Sequence, residues 1–577
     1  MLSNSVLAAL LATSYVLLLF LQLNPRLPLH PQKILAIVMT IGLFYLLHLA
    51  VIFYVALMLR RLISRDIFSP AWVSVGVLSA LAACAAAAGA VLMWSNLRTF
   101  ALVLEPDTTR ALSMGALVLG ACSVLFALIG VLRRSMGPRL FWAGSLVLVG
   151  ALSVAGPVLL RGHGTLPPLE ARPVDALLEV APDASTPRVT IIAIDAGSLE
   201  LVTTAAAEGR LANFGRILDS GAVMHLATLH PTSAEAIWAA VATGKLPQKN
   251  QVRSAGLYLP AGGGDPIRLL PDFCFANGVV RFGLLTEQPH SSAAVRSRTL
   301  WGILSQSGIS TGVVNWPLTY PAPAVRGYVV SDRYVQLAAT VSGSEDAHLL
   351  YPPDLAEETR PVVRAASHEG LASVLGAAAR DLPRRHQTPG QIDWVYDQLA
   401  RTLEESRAPQ VGITRYQSLD PVGHYFLRYA APSRFGDVTD EERRRLGSVL
   451  ESHYRLMDLA IGRAIDELER DDLLLVVSAY GMEPLGFGKR MLERIIGDPE
   501  LSGTHEAAPD GFLMAYGASV AKAPSLRRAS VVDVTPTVLY FLGLSIGRDM
   551  DGFARTDLFQ PSFTQERPIT FIPTYER

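Results

Sequence analysis

Cysteine is scarce in this chain of 577 residues: it has three, at 84, 122 and 274. That excludes the disulfide framework that staples small extracellular domains. Charge is scarce too. Only 18% of residues are Asp, Glu, Lys or Arg, and the formal net charge is −1, so the basic field that a nucleic-acid binder needs is missing. No internal repeat is visible, which sets aside solenoids and propellers. The first residues carry no basic n-region and no small-residue cleavage site. The first apolar run therefore reads as a retained helix, not a cleaved signal peptide.

Apolar residues are plentiful, and they are gathered at the front. Five long runs stand at about 5–23, 34–59, 71–94, 111–132 and 140–160, each long enough to cross a hydrocarbon core of roughly 30 Å as a helix. Residues 1–160 read as a five-helix transmembrane domain. Lys and Arg in the short loops set its orientation. Arg60, Arg61 and Arg65 follow the second run, and Arg133, Arg134 and Arg139 follow the fourth. The alternate loops carry Arg26 with Lys33, and Arg98 with Arg110, the latter pair offset by Glu105 and Asp107. The bias puts the N-terminus in the cytoplasm of a multi-pass inner-membrane protein, with everything after residue 161 periplasmic or extracellular. His48 stands nearly alone as an ionisable residue well inside a run, which argues against a proton or ion pathway.

Residues 161–187 are Pro-rich and read as a linker. Beyond them the period changes. The run RVTIIAID (188–195) has the β-branched character of a buried strand, and AIWAAVATG (236–244) is helical up to its closing Gly. Further strands are expected in STGVVNW (310–316), QVGITRYQSLD (410–420), LLLVVS (473–478) and DGFLMAYG (510–517). Helices are expected at 300–308, 392–408, 442–470 and 531–544. Such alternation predicts a mostly parallel sheet covered on both faces, spanning 188–577. Between Trp316 and Ile392 the pattern lapses into Pro- and Gly-rich text, read as an inserted cap over 317–392.

Three features stand at strand ends. Asp195 closes TIIAID, Asp420 and His424 form D-x3-H in SLDPVGHYF, and His505 precedes the last strand in SGTHEAAPDG. A carboxylate and an imidazole four residues apart can converge on one divalent cation. A second His from another strand completes a three-ligand N/O set with an open position. A further strand end, Ser478-Ala479-Tyr480-Gly481, delivers Ala and Tyr where a metal site would want Asp and His. His453 reads as a packed helix residue, His225 and His230 as ordinary polar positions, and Trp238 and Trp316 as core.

Taken together, IIAIDAGS, TLHPTSAEAIWAAVATGKLPQ, LWGILSQSGISTGVVNWPLTYPA, SLDPVGHYF, SGTHEAAPDGFLMAYG and VVDVTPTVLYFLGLSIGRDMDG resemble the alkaline phosphatase superfamily. The likeness is to its type I phosphodiesterase/nucleotide pyrophosphatase branch, and it covers nearly all of 188–577. It implies an α/β fold: an alkaline-phosphatase-like three-layer α/β/α domain behind the transmembrane bundle. Members of that branch hold two metal ions, usually zinc, and attack phosphorus with a Thr or Ser. By this resemblance Asp420, His424 and His505 match the ligands of one metal, and Asp195 matches the first ligand of the other. Asp458 matches a structural position.

The departures bear on function. The second metal's remaining ligands normally come from a Ser-Asp-His-Gly motif, and here Ala479 and Tyr480 hold the Asp and His places. The place of the nucleophile falls on Ala234, which leaves Ser233 and Thr232 as the candidate catalytic hydroxyls. Glu235 and Glu483 are replacement carboxylates by position only. The sequence therefore favours a pseudoenzyme with one zinc or manganese ion, or none. It would serve as a binding or regulatory module for a phosphorylated lipid or glycan, or for an envelope protein, beside membrane lipids. The alternative is a metal-dependent phosphodiesterase or phosphotransferase that uses the one remaining metal, with water or Ser233 as nucleophile. Five-span anchors with this domain type occur in phosphoethanolamine transferases.

Overall fold

The computed structural model describes residues 1–64, 72–133, 138–161, 187–337, 348–368, 382–435, 437–522 and 527–576. The linker expected at 161–187 falls almost wholly outside them. The chain divides into two units, Met1–Glu170 with Arg253–His290, and Ala171–Val252 with Ser291–Arg577.

In the first unit, five helices are long and apolar enough to cross a membrane: α1 (Leu2–Leu23), α2 (Ile34–Ile63), α3 (Val75–Thr99), α4 (Pro106–Leu132) and α5 (Leu140–Arg161). They coincide with the five apolar runs. Helix α1 is the most enclosed of them. Small residues let the helices approach closely: a Cβ on Gly89 of α3 would come within 3.0 Å of Leu119 and 3.3 Å of Tyr15.

Residues 253–290 interrupt the α/β sequence to join this bundle. Two antiparallel strands, Gly256–Pro260 and Leu285–Pro289, flank a short helix, Ala276–Arg281. Ile267, Ala276 and Val279 are buried with Phe20, Ile41 and Tyr45 of the spanning helices. No periodicity in the sequence singles this segment out. It docks through a few apolar side chains and hydrogen bonds to its backbone.

In the second unit, nine strands form one sheet: β1 (Val189–Ile194), β2 (Ala222–Ala227), β3 (Thr311–Val314), β4 (Gly327–Val330), β5 (Leu350–Tyr351), β6 (Val411–Tyr416), β7 (Leu473–Ser478), β8 (Gly511–Tyr516) and β9 (Arg527–Ser530). Their order is β9-β2-β8-β7-β1-β6-β3-β4-β5. The central strands β7, β1, β6, β3 and β4 run parallel, while β8 is antiparallel to both its neighbours and β5 to β4. All six residues of β6 and of β7 are buried. Side chains alternate between faces along a strand, so both faces are covered and the domain has three layers. That is why β7 reads as a continuous apolar run. The stretch read as an inserted cap supplies β4, β5 and a helix, Leu355–His368; its residues 338–347 and 369–381 lie outside those described.

Helices used below are α6 (Ala234–Thr243), α7 (Arg384–Arg407), α8 (Leu419–Ala430) and α9 (Val449–Asp466). Parallel strands β1, β6 and β7 end at one edge, the edge where α/β sheets place their sites. Asp195, the Ser418–Asp420 turn and Ala479-Tyr480 all follow those strand ends.

Candidate metal centre

Helix α8 starts just past β6, and Asp420 lies in its first turn. His424 is one turn later on the same face, as side chains four residues apart in a helix must be. His505 follows the two-residue strand Gly503–Thr504, which pairs with Glu483–Pro484. The structure brings these three residues together: one ligand atom from each lies within 4.8 Å of the others. Asp420 Oδ1 is 3.1 Å from His424 Nε2 and 3.6 Å from His505 Nε2, yet this buried oxygen accepts no aligned hydrogen bond. His424 Nδ1 faces the carbonyl of Gly503 at 2.8 Å, which leaves Nε2 for the shared point. A carboxylate oxygen without a donor, facing two imidazoles of which one is oriented from behind, fits one divalent ion.

Tyr480 has a place in this centre. Its hydroxyl donates to Asp420 Oδ2 at 2.9 Å, and its ring lies 5.5 Å from that of His505. Burial, with Asp195 and Asp420 nearby, holds the phenol protonated, far above its ordinary value. Burial alone would raise Asp420, but the two imidazoles and the Tyr480 hydroxyl outweigh it and hold the carboxyl below the usual range. Burial pulls His424 down, and Asp420 outweighs that and raises it.

Asp195 is placed differently. It is buried at the end of β1, and Arg415 of β6 reaches it with two nitrogens, Nε to Oδ1 at 3.0 Å and Nη2 to Oδ2. Trp238 Nε1 donates to the same Oδ1 at 2.7 Å. The resemblance makes Asp195 a metal ligand, and Trp238 lies in the core as the sequence indicates, with its indole turned to Asp195. In the structure the Asp195 carboxylate is saturated by a guanidinium and an indole, and it is not among the clustered ligand atoms. An ion beside it would meet a fixed positive charge, so these residues do not fit a second metal. Burial would lower Arg415, but Asp195 raises it beyond that loss and it stays charged. Burial pushes Asp195 upward, with Arg415 and Trp238 pulling against it. Arg415 Nη1 also meets Gln417 Oε1 at 3.3 Å and the carbonyl of Asn315 at 3.5 Å. Asn315, in the left-handed region at φ 60°, returns a hydrogen bond to the carbonyl of Arg415 at 2.9 Å.

The hydroxyl candidates sit at the start of α6. Thr232 donates to the carbonyl of Leu229 at 3.3 Å. Ser233 donates to Glu235 at 3.2 Å, and burial raises the Glu235 carboxyl. Ala234 packs its methyl against the domain core, so the position matched to the nucleophile carries no reactive atom.

Asp393, which the sequence does not single out, holds the frame together with His453 and Asp458, which the sequence places as a packed and a structural residue. Asp393 of α7 accepts the backbone N–H groups of Gln417 and Ser418 at 2.9 and 2.8 Å, fixing the turn that launches α8. His453 of α9 faces the Ser418 hydroxyl at 2.9 Å. Asp458 accepts the N–H groups of Asn213 and Phe214, a structural role. Arg415 left a legible signal, a charge inside an otherwise buried strand, but its partner lies 220 residues away. A polar cavity of about 480 Å³ exists elsewhere, lined by Arg188, Asp397, Glu404 and Arg463 among others. None of Asp195, Asp420, His424 and His505 lines it.

Residues 189–530 match the family model described as type I phosphodiesterase/nucleotide pyrophosphatase. No curated protein matches the chain. Among solved structures, murine ectonucleotide pyrophosphatase/phosphodiesterase 5 is similar at 11% identity, over 65% of this chain and 100% of that one, with a TM-score of 0.37. The alkaline phosphatase PafA is similar at 11% identity, over 66% of this chain and 100% of that one, with a TM-score of 0.44. With a single family model spanning more than half its length, this chain belongs to the type I phosphodiesterase/nucleotide pyrophosphatase family.

Proposed function

We propose that the α/β domain is a pseudoenzyme: a non-hydrolytic phosphodiesterase-like module that binds a phosphorylated lipid or glycan through one divalent ion, zinc or manganese, at Asp420, His424 and His505. The observation that carries this reading is the Arg415–Asp195 salt bridge. In a two-metal phosphotransferase, one ion makes an alkoxide and the other stabilises the leaving oxygen. Here a guanidinium occupies the carboxylate on which the alkoxide-making ion would rest, and the nucleophile position is a methyl group. An ion bound at the remaining triad would supply a Lewis-acidic position for one phosphoryl oxygen. The ion matters for charge as well. Glu235 and Asp332 share the field of Arg415 with Asp195, so these groups alone are a poor host for an anion.

The distribution of Lys and Arg supports placing the N-terminus in the cytoplasm and the domain on the periplasmic side of the inner membrane. A tether of five spans then keeps it among lipid-linked ligands, where an envelope protein partner would also meet it. The protein loaded with zinc or manganese is expected to release nothing from an aryl phosphodiester above the rate of buffer with metal. It is also expected to bind a phospholipid headgroup analogue in a metal-dependent way. Turnover above that rate would overturn the reading.

One observation favours the hydrolytic alternative. Ser233 and Glu235 form a hydroxyl–carboxylate pair at a helix start, the geometry of an activated nucleophile. If that pair works, Ser233→Ala abolishes turnover while metal content stays the same.

A further inference from the structure

The segment 253–290 is pinned to one end of the helix bundle. Asn24, just past α1, accepts the N–H groups of Arg268 and Leu269 at 2.8 and 3.0 Å and donates to the carbonyl of Leu269 at 2.8 Å. Asn96, in the last turn of α3, exchanges two hydrogen bonds with the backbone of Asp272, at 2.8 and 3.0 Å. Glu105, at the start of α4, pairs with Arg253. Arg161, at the end of α5, donates to the carbonyls of Leu21 and Asn24 at 2.7 and 2.9 Å. This is the end from which the chain leaves the bundle.

Helix α2 enters at the same end and is the longest of the five, at 30 residues. It is about 45 Å long at 1.5 Å per residue, against a hydrocarbon core of roughly 30 Å. The excess is about ten residues. The segment packs along that first part of α2. Gly262 lies beside Ala36 and Thr40, and Tyr45 donates to the carbonyl of Cys274 at 2.8 Å. If that excess lies at this end, the segment reaches, at Tyr45, the level where α2 would enter the apolar layer.

At that level it turns three phenyl rings outward. Phe273, Phe275 and Phe282 are 61%, 75% and 68% exposed, while Cys274, Ala276 and Val279 between them are buried. Phe273 and Phe275 both take left-handed backbone conformations, φ 63° and 55°, unfavourable for aromatic residues and held by the docked segment. The ring of Phe282 lies 5.8 Å from that of Phe44 in α2. Leu43 and Leu47 of α2, on either side of Phe44, are exposed. The aromatic patch thus continues the lipid-facing side of a spanning helix.

We infer that residues 272–283 are an interfacial membrane wedge, with Phe273, Phe275 and Phe282 buried at the headgroup–acyl boundary of the leaflet at this end of the bundle. Aromatic rings are favoured at that depth, and continuity with α2 identifies lipid as the occupant. The chain between residues 253 and 290 is thereby held at the membrane surface. This inference is independent of the proposed ligand chemistry.

The test uses the intact chain in lipid nanodiscs. Cys84, the exposed cysteine, is replaced by Ser, and Cys122 and Cys274 are buried. A nitroxide is then attached at Phe275→Cys, at Phe282→Cys and, as a reference, at Glu287→Cys. Collision rates with oxygen, which concentrates in the bilayer, and with a water-soluble nickel chelate are measured at each site. The expected oxygen-to-nickel ratio is several-fold higher at 275 and 282 than at 287. A ratio equal to that at 287 would place the rings in water and overturn the inference. Shielding from both reagents would overturn it too, since the patch would then be covered by protein, such as a second copy of the chain. The site at 282, where the backbone is not left-handed, keeps the result readable if a label at 275 disturbs its turn.

Discussion

Arg415 sits in a strand whose six residues are all buried, and a charge there survives only with a partner. Asp195 is that partner, and each makes the other tolerable. Removing one member of a buried pair leaves an uncompensated charge and costs about 3–5 kcal/mol, whereas removing both together costs much less. Arg415→Met is therefore expected to destabilise strongly, and Asp195→Asn with Arg415→Met to be more stable than Arg415→Met alone. Denaturant midpoints of the three proteins check this; additive losses would mean the pair is not coupled. Tyr480 acts at the other half of the site by orienting Asp420. Loss of such a partner typically lowers metal affinity about 10–100-fold, so Tyr480→Phe is expected to weaken zinc binding by that factor in a competition titration while the fold is kept. At this scale the sequence was half legible. One helical turn between Asp420 and His424 is a local pattern that can be read directly. Arg415 with Asp195, and Tyr480 with Asp420, are pairs made only by the sheet, across 220 and 60 residues.

Helices α7 and α9 position α8, the helix that carries Asp420 and His424. Asp393 fixes the turn before α8, and His453 closes on Ser418 from the opposite element. Burial lowers the His453 ring to about 4, so it is neutral in the folded state. An unfolded histidine titrates near 6.5. The folded protein therefore binds fewer protons than the unfolded one between those values. The His453 contribution to stability is complete above about pH 6.5 and is lost as pH falls toward 4, at most about 3 kcal/mol. Unfolding midpoints followed from pH 7 to 4.5 are expected to fall more steeply for the wild type than for His453→Gln. Parallel curves would contradict a neutral buried ring. Elements themselves were readable where the pattern is continuous: β7 and the five long helices announce themselves as apolar runs. Residues 253–290 did not. Their place depends on side chains such as Asn24, Asn96 and Tyr45 meeting backbone more than 170 residues away, and no local period encodes that.

On the scale of the molecule, a unit with five helices long and apolar enough to cross a membrane and an α/β unit of the phosphodiesterase family share one chain that passes between them three times, near residues 170, 252 and 290. In the second unit Asp420, His424 and His505 are clustered as the ligands of one ion would be, and the proposed function rests on that cluster. In the proposed reading, the charge of Arg415 stands beside Asp195, where a second ion would otherwise rest. This account is tested most directly by the zinc and manganese content of the intact purified protein after metal loading and removal of loosely bound ions, compared with His424→Ala/His505→Ala. It predicts one equivalent, lost in the double variant. Two equivalents would show that Arg415 does not displace the second ion, and none would show that the triad holds no metal; either result would contradict it.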